Sequence, residues 1–199
     1  MNLPSKEQAQ NLLFEHVQKA YQRFHALMVA TAMEGYAGDL GEDEHLWWVT
    51  GYLHDIDFEK HPKSHPGESL KWFAEWGYPD GLIHAVEAHA YGYNGYKVLP
   101  ETKLAAGLLA GDEICGIFCA YKKMNPVPYG QMKTKSIGKK VNDKSFAAKV
   151  DRGTIELGCQ RLGVEIPEHI GNLIRYFAKL DQVAYIEKSS AGILPVCRV

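Results

Sequence analysis

Apolar residues recur along the chain at spacings of three and four, the period of an α-helix with one buried face, and alternating β-branched runs bounded by turns are almost absent. The pattern predicts an all-α fold. Ser5 followed by Gln8 has the spacing of a capping box, and Leu12, Leu13, Val17 and Ala20 continue it as an apolar stripe. A second stripe runs through Tyr21, His25, Met28, Val29 and Ala32 and stops at Gly35 and the Gly38-Asp39-Leu40-Gly41 turn, so the first forty residues read as two helices or one kinked helix. Glu42, Asp43 and Glu44 suit the positive end of the next helix, which passes through Leu46, Trp47, Thr50 and Leu53 and ends near His54-Asp55.

Beyond a polar loop with Pro62 and Pro66, a short helix is predicted from about Gly67 to Trp76 and another from about Asp80 to Ala90, separated by Gly77-Tyr78-Pro79 and closed by Gly92 and Gly95. A long apolar helix follows Pro100 and reaches about Lys123. Pro126 to Gly130 forms a loop, Lys133 to Lys144 is a basic segment, and two further helices run from about Phe146 to Leu162 and from Pro167 to Leu180. No repeat or linker divides the chain. One domain over residues 1–199 is expected, with its core at about 20–180 and a loose tail at about 185–199.

Composition narrows the function classes. With 199 residues and 46% hydrophobic content, the chain can fill one core unaided. The 22 Lys and Arg against 24 Asp and Glu exert no global pull on nucleic acid or anionic membrane. An anionic ligand would therefore be held locally. The first residues lack the basic-then-apolar run of a signal peptide, which predicts a cytoplasmic protein. Asp112-Glu113 interrupts the apolar run from Leu104 to Tyr121, predicting a buried core helix rather than a membrane span. Cys115, Cys119, Cys159 and Cys197 show no CxxC spacing and read as buried reduced thiols.

Candidate chemistry comes from helix faces. His25 shares its face with Tyr21, Met28, Val29 and Ala32 and should point inward, where an imidazole needs a partner. Asp112 follows Ala105, Leu108 and Leu109 at the positions of one apolar face, so its carboxylate is predicted to be buried and to require a cation. His54 and Asp55 place an imidazole and a carboxylate side by side at a helix end, a pair that suits Zn, Fe, Mn or Ni without choosing among them. His65 precedes one helix and His89 ends another. His84, five residues before His89, is rotated by roughly 140° on a helix and misses the same site.

The order His25, His54-Asp55, His65, His89, Asp112 resembles the HD superfamily of metal-dependent phosphohydrolases. The likeness extends through the loop His54-Asp55-Ile56-Asp57-Phe58-Glu59-Lys60-His61-Pro62, through His65-Pro66-Gly67-Glu68-Ser69 and Ala85-Val86-Glu87-Ala88-His89-Ala90, and through Lys144-Ser145-Phe146 and Val150-Asp151-Arg152. These last stretches are similar to a branch of bacterial HD-domain hydrolases. The resemblance implies an all-α HD bundle. It implies that His25, His54, Asp55 and Asp112 ligate a first divalent metal, that Asp55 bridges toward a second, and that His65 and His89 complete that second site. One or two ions are compatible with this set.

Such a site implies hydrolysis of a phosphate ester of a small molecule, a nucleotide or another phosphorylated metabolite, by a metal-activated water, with His54 and Asp55 at its centre. Glu68, Lys139, Lys140 and Arg152 are the candidate substrate contacts, and Glu68 and Asp57 the candidate orienting or proton-carrying groups. Two other readings stay open: a di-iron oxygenase on the same fold, and a non-catalytic nucleotide-sensing module using Trp72, Trp76, Tyr91, Tyr93 and Tyr96. Neither a membrane nor a nucleic-acid partner is expected, and the oligomeric state is left open.

Overall fold

The Gln8 amide donates to the Ser5 hydroxyl while the Ser5 amide donates to the Gln8 side chain, and this reciprocal cap starts α1 (Lys6–His16) as its spacing predicts. The computed structural model describes the backbone of residues 3–191 and the side chains of residues 3–181. Within that span the chain forms nine α-helices and one short 3-10 turn, with no strand among the described residues. The expected all-α class holds.

Three extended residues separate α1 from α2 (Ala20–Leu40), so the first forty residues make two helices. Lys19, the N-cap of α2, has no side-chain acceptor to offer; Glu59 supplies one from a distant loop, its Oε2 accepting the amides of Gln18 and Lys19 at 3.0 Å each. That contact pins the 54–65 loop to the start of α2. Helix α2 passes through Gly35 and Gly38 rather than stopping there. A Cβ at Gly35 would lie 2.3 Å from the Tyr176 ring, so this glycine clears space for an aromatic neighbour. The helix ends at Gly41, whose φ of 68° is the left-handed C-cap that favours glycine.

Asp43 caps α3 (Glu44–Leu53) by accepting the amides of His45 and Leu46. Where α3 crosses α2, a Cβ on Gly51 would fall 2.9 Å from the Ala30 Cα. The two backbones touch, and this brings the His25 and His54 rings to a centroid separation of 5.4 Å. Next come α4 (Gly67–Glu75) and α5 (Asp80–His89), close to their predicted bounds, and then α6 (Lys103–Met124), capped by Thr102. Helix α6 is long and apolar enough to cross a membrane, but 72% of its most apolar window is buried inside the protein. It is the core helix, as the Asp112-Glu113 interruption predicts. Cys115 and Cys159 are buried free thiols.

The last third departs most from the periodicity. A 3-10 turn at Tyr129–Gln131 is followed by α7 (Thr134–Asn142), a helix where only a basic segment was expected; it buries Ile137 and Val141 and turns its lysines outward. The helix expected from Phe146 begins only at Arg152, as α8 (Arg152–Leu162), because Asp151 caps it through the Gly153 and Thr154 amides. Residues 143–150 are instead a set of turns. Helix α8 lies so close to α6 that a Cβ on Gly158 would sit 2.4 Å from the Ala110 nitrogen. Helix α9 (Ile166–Ala191) outruns its predicted end; of the expected loose tail, residues 192–199 lie outside the described residues. His169 fastens α9 to the core: its Nε2–H donates to Ala110 O at 3.0 Å and its Nδ1 accepts from the Tyr36 hydroxyl at 2.5 Å.

Candidate metal centre

Five segments deliver the site. Helix α2 presents His25, the end of α3 and the turn after it present His54 and Asp55, the loop before α4 presents His65, the last turn of α5 presents His89, and the middle of α6 presents Asp112. His54, His65 and His89 are buried, while His25, Asp55 and Asp112 are part-exposed toward a cavity of about 460 Å³. All six predicted metal-ligating residues converge.

The hydrogen bonds on the far sides of the rings decide which ring nitrogens face inward. His54 Nδ1 lies 2.8 Å from Gly51 O, and His89 Nδ1 meets Val86 O. A carbonyl can only accept, so both Nδ1 atoms carry a proton and both Nε2 atoms are turned to the centre. His65 Nδ1 donates to Asp57 Oδ1 at 2.6 Å, which turns its Nε2 inward as well. Asp57 is itself fully buried and held by the amides of Glu68 and Ser69, at 3.2 and 3.1 Å to its Oδ2. The start of α4 thus fixes the carboxylate that fixes His65.

The inward-facing atoms divide into two groups around Asp55. Its Oδ2 lies 3.9 Å from His25 Nε2 and 3.5 Å from His54 Nε2; Asp112 Oδ1 completes this side at 2.9 and 3.5 Å from the same two nitrogens. Its Oδ1 faces His65 Nε2 at 3.2 Å and His89 Nε2 at 3.6 Å, and these two nitrogens are 3.1 Å apart. Two ring nitrogens that close must share a proton or face a cation. His54 Nε2 is buried without a hydrogen-bond partner, the Asp55 and Asp112 carboxylates each standing 3.5 Å away.

The electrostatics carry the same demand. Burial works against a charged His54, yet the carboxylates of Asp55 and Asp112 outweigh it and lift the imidazole to about 9. Burial likewise opposes the His65 cation, but the Asp57 hydrogen bond and the Asp55 charge raise it. Although burial pushes the other way, the neighbouring imidazoles hold Asp55 and Asp112 well below the usual carboxylate range. Nitrogen and oxygen donors grouped as His25-His54-Asp55, His54-His89-Asp112 and Asp55-His65-His89, each set within 4.8 Å, fit a divalent ion. The cluster can hold metal.

The expected substrate contacts fare differently. Arg152 lines no part of the cavity: all five guanidinium donors go to main-chain carbonyls, of Val141, Asp143, Phe146, Ala147 and Val150. Lys139 is exposed on α7, and Lys140 lies 3.8 Å from Asp143 and over the Phe146 ring, both outside the cavity. The Glu68 carboxylate pairs with Lys71 at 2.9 Å, so only its backbone amide serves the site. His84 stays apart from the ligand groups, as its helical phase predicts.

Beside the ligands the cavity is lined by Tyr91 and Tyr93, two of the aromatics singled out in the sequence, and by residues that were not: Phe58, Glu113, Lys149, Asp151 and Thr154 among them. The Phe58 ring packs edge-on against His65 with centroids 5.2 Å apart, and Tyr93 closes on both. Burial, and then the Asp112 charge, push the Glu113 carboxyl up to about 7. Its signal in the sequence was its place beside Asp112; Thr154 opens α8, and Phe58 and Lys149 come from loops whose course no periodicity reveals. Trp72 and Trp76 instead stack on each other, 6.3 Å between centroids.

No curated protein and no solved structure matches the chain. Its residues 24–128 do match a family model, that of the HD domain, and this stretch encloses His25, His54-Asp55, His65, His89 and Asp112. Since the match spans more than half of the sequence and the helices place these six residues around one centre, the chain belongs to the HD domain family.

Proposed function

We propose that this protein is a metal-dependent hydrolase of small phosphate esters, with His25, His54, Asp55 and Asp112 holding one divalent ion and Asp55, His65 and His89 a second. The observation that carries the reading is the split of one carboxylate, Asp55, between two clusters of inward-facing imidazole nitrogens. Membership of a family of metal-dependent phosphohydrolases supports it. Bound there, divalent ions would supply Lewis acidity toward a phosphoryl oxygen and bring the pKa of a water toward about 7.

The chain's own residues prepare the ground for that chemistry. Gly51 O and Val86 O orient His54 and His89, and Asp57 orients His65, so no ring has to turn when a ligand arrives. Phe58 and Tyr93 wall the His65 side and limit water there. The cavity of about 460 Å³ fits a small metabolite better than a nucleic-acid strand.

The test is a panel. Purified protein loaded in turn with Mn, Zn, Ni and Fe is assayed for phosphate release from nucleotides and sugar phosphates, with bound metal counted in each preparation. Release that vanishes in Asp55→Ala is expected. Absence of release from every substrate and every metal form overturns the reading, and oxygen uptake by the iron form alone would replace it with an oxygenase.

A further inference from the structure

Four carboxylates line the cavity, those of Asp55, Asp112, Glu113 and Asp151, against a single lysine or arginine, Lys149. Lys149 forms no hydrogen bond or ion pair among the described residues, and it stands exposed. A lone wet lysine is ordinary on a surface. What sets this one apart is the segment that carries it.

Residues 143–150 are wrapped around the Arg152 guanidinium. Nε donates to Val141 O at 3.1 Å, Nη1 to Ala147 O at 3.1 Å and Val150 O at 2.8 Å, and Nη2 to Asp143 O at 3.1 Å and to Phe146 O. Within this wrap Ala147 has a φ of 45°, a left-handed conformation that a residue with a Cβ rarely adopts. Four of the five charge-assisted guanidinium bonds fall on this segment and hold it in that shape. It is also fastened to α6: Val150 packs so closely on Gly116 that a Cβ there would fall 3.0 Å from its Cγ2, and the Asp151 amide donates to Glu113 Oε2 at 3.2 Å. Gly116 lies one turn beyond Asp112, roughly 6 Å along the helix axis. Lys149 thus lines the same cavity as Asp55 and Asp112, on a segment fastened to α6.

We propose that Lys149 is the residue that grips the anionic group of the substrate, selecting small phosphate monoesters, and that Arg152 is its positioning residue. This rests on the phosphate-ester reading above. Apart from the metal centre, Lys149 is the one lysine or arginine lining the cavity that a phosphate dianion would meet. The ammonium is a point charge on a flexible stem and follows the phosphate as it settles. Arg152, with no donor left over, acts only by shaping the loop.

The experiment measures binding of inorganic phosphate by calorimetry on metal-loaded protein of determined metal content, alongside turnover of p-nitrophenyl phosphate. Lys149→Ala is expected to weaken phosphate binding about tenfold, the value of one charge-assisted hydrogen bond, and to raise KM more than it lowers kcat. Metal content stays unchanged and Lys149→Arg recovers most of the affinity. Arg152→Lys, a milder change than Arg152→Ala, is expected to weaken binding in the wild-type background and to add nothing to Lys149→Ala. Lys149→Ala protein that binds phosphate as tightly as wild type overturns the assignment while leaving hydrolysis in place. Lys149-dependent binding without turnover of any ester keeps the assignment and removes the hydrolase reading. Wild-type protein that binds no phosphate overturns both.

Discussion

Asp57 Oδ1 lies 2.6 Å from His65 Nδ1 in the interior, and the same carboxylate accepts two amides at the start of α4. The carboxylate therefore keeps the His65 ring in one tautomer and one orientation. Asp57→Asn preserves the shape but offers the ring an amide that can donate as well as accept. Loss of such an orienting partner commonly costs about 10–100-fold in metal affinity or activity. Metal analysis is expected to find one tightly bound ion instead of two, and two ions in Asp57→Asn would remove this role.

Chelation should destabilise the fold. Without an ion, the imidazole nitrogens and carboxylates that meet at Asp55 are left to protons, and His54 Nε2 is buried with no bond. Because an ion binds only the folded arrangement, saturating metal at 100 times its Kd should add about 2.7 kcal/mol of stability. Tm measured against added Mn or Zn is expected to climb with concentration in wild type and to stay flat in Asp55→Ala.

His169 supplies a pH dependence separate from the metal cluster. Burial lowers its pKa to about 4 from the ordinary 6.5 of an imidazole. Between those values the unfolded chain takes up a proton that the folded chain refuses. The stability that His169 contributes is thus complete above about pH 6.5 and is lost progressively as pH falls toward 4, by up to about 3 kcal/mol. Urea unfolding of wild type and His169→Gln across this window should differ in slope, with the variant flatter; equal slopes would contradict the buried neutral ring.

Gly158 allows α8 to lie on α6. Since a Cβ there would stand 2.4 Å from the Ala110 nitrogen, Gly158→Ala forces the helices apart despite the better helix propensity of alanine. The expected loss is about 1–3 kcal/mol, seen as a lowered urea midpoint with little change in slope.

Lys139 and Lys140 serve as controls for the cavity assignment. Both lie outside it, and Lys140 already has Asp143 and the Phe146 ring as company. Lys139→Ala and Lys140→Ala are expected to hold KM within about twofold, as fits surface charges in screened solvent. A tenfold rise in either would reassign the substrate's approach to α7.

The helices and the inward-facing ligands were legible because both depend on local rules. A 3.6-residue period marks which face is buried, and a His or Asp on such a face announces a need for a partner; His25 and Asp112 were found this way, and the order of the six residues resembled one family. The sequence also determined α1, α3 and their caps, since Ser5, Gln8 and Asp43 act on amides within three residues. Tertiary structure alone decided the rest. That Gly35 and Gly38 lie within α2 follows from a helix continuing across the core, where Tyr176 takes the space beside Gly35. That Arg152 faces inward, and Lys149 instead stands at the cavity, follows from a loop folding back on its own carbonyls, a competition between main-chain acceptors and solvent that no spacing encodes. The split of Asp55 between two nitrogen clusters belongs to this second kind: it exists only once helices far apart in the chain have packed and turned their rings toward one carboxylate.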